Sequence, residues 1–105
     1  MKRLYGKVKI NENDCIDMNK KFSMNLKYYK TRDILAKADD KKYGIEIIKE
    51  EVKGKNKTKE KSAVKYISDN EETIEQLLEI LIKNKVTPIS ANDILRDLRK
   101  KAEII

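Results

Sequence analysis

Lysine stands at every second position from Lys53 to Lys61 in "KGKNKTKEK", with Glu60 the only acid among them. Alternating cations of this kind can hold an anionic partner, phosphate or carboxylate, by long-range attraction and close pairing. Catalysis asks for more, namely a positioned acid, base or nucleophile. The chain has no histidine, the side chain best placed to move protons near neutrality. That removes most nucleophilic triads and leaves a Ser/Lys dyad, a carboxylate pair or the lone thiol. Cys15 has no histidine to activate it and sits in the polar stretch "NENDCIDMNKK". Asp93 and Asp97 lie one helical turn apart and Asp39 and Asp40 are adjacent, so either pair offers oxygen ligands to a divalent cation. However, "DDKKYG" lacks the ligand spacing of a calcium loop. The residues predict a non-enzymatic chain with no metal and no cofactor.

Two readings of the lysines stay open. Lys53, Lys55, Lys57, Lys59 and Lys61 could contact an anionic partner, RNA or DNA above all, with Tyr5, Tyr28 and Tyr29 as stacking aromatics. They could equally be the solvated tip of a hairpin, with Gly54 and Asn56 as the residues that tolerate positive φ. Only 4 arginines accompany 21 lysines, which argues against bidentate base readout, and Glu46, Glu50 and Glu51 share the same hairpin. Abundant Lys, Ile and Asn also fit an AT-rich codon bias.

The 105 residues carry a formal charge of +7. The excess is N-terminal: residues 1–30 hold eight basic and three acidic side chains, whereas residues 61–105 hold eight of each. One cysteine cannot form an internal disulfide, so a reducing, cytoplasmic setting is expected. "MKRLYGKVKINEND" has no apolar run behind its charges, and no stretch reaches the length of a membrane span.

These side chains must be positioned by strands and helices, and the periodicity divides the single domain 1–105 into three parts. Residues 1–20 are a basic strand and its connection, with Leu4, Val8 and Ile10 alternating against Tyr5, Lys7 and Lys9. Residues 21–67 are antiparallel strands and the lysine-rich hairpin: Phe22, Met24, Leu26 and Tyr28 share one face, and "YGIEIIKEEV" pairs with "SAVKYI". Between them "TRDILAKADDKK" reads as a short helix or turn capped by Thr31. Residues 68–105 are two helices. Ser68 and Glu71 have capping-box spacing before Ile74, Leu77, Leu78 and Leu81, and Ser90 with Asp93 caps a second stripe of Ile94, Leu95, Leu98, Ala102 and Ile105.

The order Tyr43-Gly44-Ile45-Glu46-Ile47, a charged hairpin, "YISDNEE", a leucine-rich helix and Val86-Thr87-Pro88-Ile89 resembles a small family of uncharacterised proteins from low-GC Gram-positive bacteria. The resemblance covers about residues 26–98 and excludes the basic leader. It implies the strand-then-helix order and contributes no catalytic residue. The expected fold is α+β: a three- or four-stranded antiparallel sheet covered on one face by two C-terminal helices. Ile80 widens the apolar arc of the first helix, so Ile80 and Ile82 are candidate protein-interface residues. By elimination, the expected role is a small cytoplasmic interaction or regulatory module. Its partner is another protein or a second copy, nucleic acid through the lysine hairpin is the alternative, and no membrane is involved. Accordingly, EDTA or reductant should leave the melting curve unchanged; cooperative unfolding on chelation would show a metal site.

Overall fold

The computed structural model describes residues 1–10, 22–35 and 42–104. Cys15, Asp39, Asp40 and the polar connection lie outside the described residues. Four strands, β1 (Lys2–Ile10), β2 (Phe22–Arg32), β3 (Tyr43–Lys53) and β4 (Asn56–Ser68), form one antiparallel sheet in the order β1-β2-β3-β4. Two helices follow, α1 (Glu71–Lys83) and α2 (Pro88–Ile104). The fold is therefore α+β with four strands.

Alternation places Leu26 and Tyr28 of β2 opposite Lys49 and Ile47 of β3, with Ile45 beside them. This face receives the helices. Leu26, Tyr28, Ile45 and Ile47 are buried with Ile74, Leu78 and Leu81 of α1 and with Ala91 and Leu95 of α2. Polar contacts fix α1 along the sheet. Lys30 bonds Glu71 and, at 3.0 Å, Glu75, while the Tyr5 hydroxyl donates to Glu79 Oε1 at 3.1 Å. At Gly6 an added Cβ would lie 2.6 Å from Ile82 Cδ1, so the missing side chain admits Ile82 onto β1.

Several local readings shift. The strand phase of β1 breaks at Tyr5, an extra residue between Leu4 opposite Tyr29 and Gly6 opposite Tyr28. Tyr5 therefore joins Val8 and Ile10 against the core, and Leu4 falls on the other face. Thr31 caps no helix; it belongs to β2 and pairs with Gly44 and Lys2. Asp33 next accepts a bond from Leu35 N at 3.0 Å and holds a turn at Ile34 and Leu35. The α1 cap is Asn70, whose side chain accepts from Glu72 N, while Ser68 ends β4 and accepts from Asn70 N. α2 begins at Pro88, two residues before Ser90, because proline at the first helical position has no N–H to leave unpaired.

Between the helices, Lys85 takes φ 51°, Lys85 N donates to Ile82 O and Val86 N donates to Leu81 O. This paired closure, with buried Val86 against buried Leu81, ends α1 and turns the chain back toward the sheet. Leu78→Ala should lower unfolding free energy by about 2–5 kcal/mol, and Leu77→Ala by less because Leu77 is only partly buried. Urea denaturation of both variants measures this; equal losses would contradict the packing.

A candidate docking face on the open side of the sheet

Both helices lie on one side, leaving the opposite face of the sheet uncovered. The register assigns its residues: Lys2, Lys7 and Lys9 on β1, Lys27 and Tyr29 on β2, Glu46, Ile48, Glu50 and Val52 on β3, and Lys57, Lys59, Lys61 and Ala63 on β4. The hairpin reverses at Gly54 and Lys55, with Gly54 at φ 61° as the first residue of a two-residue turn. Only Lys55 of the five predicted contacts is thus in the turn. Lys53 ends β3 beside Asn56, and Lys57, Lys59 and Lys61 form a row along β4. They share their face with lysines 50 residues earlier in the chain, which no local pattern could reveal.

Carboxylates hold the centre of this face. Glu46 is buried, with Lys2 Nζ 2.8 Å from Oε2 and Lys61 Nζ 3.1 Å from Oε1. Burial pushes its pKa up, but the ion pairs with Lys2 and Lys61 outweigh burial and hold the carboxyl below its ordinary 4.5. Lys27 pairs with Glu50 at 3.3 Å. Ile48, flanked in register by Lys27 and Lys61, is buried although no helix covers it; the aliphatic stems of those lysines shield it. On the helix side of the same strands the charge is different, since Lys49 pairs with Glu51 at 3.6 Å and Glu60 at 3.2 Å.

At the end of the open face near the β2–β3 turn lies a cleft of about 610 Å³, lined by Thr31, Ile34, Leu35, Glu46, Lys65 and Tyr66 among others. A bulge in β4 makes one wall. Ile45 pairs with Val64 but Tyr43 pairs with Ser68, so extra residues loop out opposite Gly44, and Tyr66 takes φ 58°. A Cβ on Gly44 would sit 2.4 Å from Val64 O and 2.9 Å from Lys65 Cα, so only glycine permits this approach. The Tyr66 hydroxyl donates to Asp33 Oδ2 at 3.3 Å across the cleft mouth.

The predicted aromatics are otherwise engaged. Tyr28 is buried and donates to Val86 O at 2.8 Å, Tyr5 is held by Glu79, and Lys2 Nζ stands 4.6 Å over the Tyr29 ring. Of the two predicted interface residues, Ile82 is packed on β1, and Ile80 is 38% exposed on α1. Asp93 lies 4.0 Å from Arg96 on the same helix. Among the described residues no group of three or more potential metal ligands occurs. Nor is any described helix long and apolar enough to cross a membrane.

The Glu46 pairs carry a pH dependence. A carboxyl whose folded pKa is depressed stabilises the fold above its unfolded value and loses that contribution as pH falls through the folded value. The wild-type melting temperature should therefore drop as pH is lowered from about 5 through the ordinary 4.5 and below, and Glu46→Gln should flatten that drop. Parallel curves for the two proteins would show the pairs to be energetically idle.

Neither a curated protein nor a solved structure matches this chain. A family does match, over residues 1–101, and so takes in the basic leader as well as the region from Leu26 onward. The chain belongs to the family of unknown function DUF6514.

Proposed function

We propose that this protein is a small, non-enzymatic interaction module of the cytoplasm that holds a partner protein on its open sheet face. The observation that supports this reading best is where the exposed apolar side chains gather. Met1, Leu4, Ile34, Leu35 and Tyr66 are exposed at one end of this face, whereas among the described side chains of the helices Ile80 and Ile89 are the large hydrophobics that are exposed. Grouped exposed apolar residues rimmed by charge are typical of docking sites. A face-to-face pair of identical copies fits poorly, because it would set the lysine rows of both copies against each other.

The lysine rows favour a second reading, binding of RNA or DNA. Lys7, Lys9 and Lys27 join Lys57, Lys59 and Lys61 on one face, enough cations to follow a phosphate backbone. Single-strand binding also draws on several exposed aromatic platforms, and with Tyr5, Tyr28 and Tyr29 occupied within the fold, Tyr66 is the exposed ring that the described residues of this face offer. Protein partners make fewer demands of that kind.

Photo-crosslinking separates the readings. A benzophenone side chain at the exposed Ala63 probes the open face, and one at the exposed Gln76 of α1 probes the opposite side. In the native cell, Ala63 should give a discrete nuclease-resistant protein adduct and Gln76 none. An Ala63 adduct that disappears on nuclease treatment would favour the nucleic-acid reading, and adducts only from Gln76 would overturn both.

A further inference from the structure

We infer that the cleft and the β4 lysine row form one continuous groove for an extended acidic segment of a partner protein, anchored by an apolar side chain. This rests on the protein-docking reading above and specifies the partner's chemistry. The anchor site is the cleft, where Ile34 is 71% and Tyr66 53% exposed on either side of an opening floored by Glu46 and Thr31. From that floor the groove runs outward along β4. Lys61, bound to Glu46, is the first cation, and Lys59 and Lys57 follow on the same face.

Spacing selects the occupant. Lysines two residues apart on a strand lie about 6.7 Å apart, and an extended peptide presents every second side chain to one side at the same repeat of about 6.7 Å. Carboxylates at alternate positions of such a segment therefore meet Lys61, Lys59 and Lys57 in turn. Adjacent carboxylates cannot, because half of them point away. An acidic helix fits no better, since its side chains return to one face every three or four residues. The buried Ile48 and the partly buried Val52 lie on β3 beside the row, an apolar strip for the backbone of the segment to pass over. The cation-rich cleft rim, with Lys2, Lys42 and Lys65, favours acidic residues beside the anchor as well.

The test uses the full chain and fluorescent peptides read by anisotropy at about 0.15 M salt, where exposed charge pairs are already partly screened. One peptide carries two leucines followed by three glutamates at every second position with threonine between; its isomer has the same composition with the glutamates contiguous. Each is made in both chain directions. The alternating peptide should bind about tenfold more tightly than its isomer. Lys57→Gln with Lys59→Gln, which leaves the Lys61–Glu46 pair intact, should remove that preference. Ile34→Ser, at an exposed site where folding is not at stake, should weaken both isomers while keeping their ratio. Equal binding of the isomers, or no binding of either, would overturn the inference. A uridine oligonucleotide of matched charge that displaces the alternating peptide would overturn it too. If an Ala63 protein adduct is found while the peptides fail, the docking face stands and only this occupant is wrong.

Discussion

A four-stranded sheet followed by two helices can cover one of its faces, and the rest of this structure follows from which face that is. Leu26, Tyr28, Ile45 and Ile47 need burial, and α1 supplies it with Ile74, Leu78 and Leu81. The decisive contact is the Tyr28 hydroxyl, which donates to Val86 O in the link between the helices. Burial pushes this phenol up to about 12, so it stays a neutral donor at any physiological pH. A buried carbonyl left without a partner costs roughly 1–3 kcal/mol. The bond therefore ties the link that follows α1 to the sheet, and from that link α2 crosses back toward β4 on the same side.

The uncovered side carries lysines, and they have a structural consequence before any partner is considered. β1 and β4 are the two edges of the sheet, and Lys7, Lys9, Lys57, Lys59 and Lys61 sit on them. Lysines on edge strands obstruct pairing with another sheet, because added strands would bring like charges together. The inner strands carry the acids, Glu46 and Glu50, and each is bound to lysine. Cation rows outside and neutralised carboxylates inside set Ile48 and Val52 of β3 between two basic borders. A guarded edge and a basic border are two consequences of one alternation.

Much of the fold was legible because its elements are long and periodic. Phe22, Met24, Leu26 and Tyr28 at period two, and Ile74, Leu77, Leu78 and Leu81 at helical period, announce their elements without tertiary help. What stayed hidden involves single residues that break the period. The extra Tyr5 moves Leu4 to the open face, and neither Leu4 nor Gly6 signals it locally. Lys85 occupies a left-handed position where glycine is usual, so Pro88 marks a break between the helices but no glycine marks where α1 stops. The lysine row was visible, but its face was not: placing Lys61 across from Lys27 and Lys7 takes the pairings of β1 with β2, of β2 with β3 and of β3 with β4. The cleft was invisible because it joins Ile34 to Tyr66, and only the Gly44 approach brings those two together.

That approach also explains why a tyrosine stands exposed in a strained conformation. Ser62 and Val64 oppose Ile47 and Ile45 on the helix side, so uninterrupted alternation would carry Tyr66 into the core opposite Tyr43. Two large rings there would compete for the space in which α2 packs. The bulge sets residues 65–67 opposite Gly44 and, within it, puts the smaller Ile67 into the core and turns Tyr66 outward, before Ser68 resumes the pairing with Tyr43. A non-glycine residue at positive φ costs roughly 1–2 kcal/mol, and the burial of Ile67 offsets a cost of that size. Core packing thus accounts for the bulge but leaves open why its outward residue should be a large aromatic ring. The 3.3 Å bond to Asp33 is long and weak, and among the described residues Tyr66 contributes more to the wall of the cleft than to the stability of the sheet.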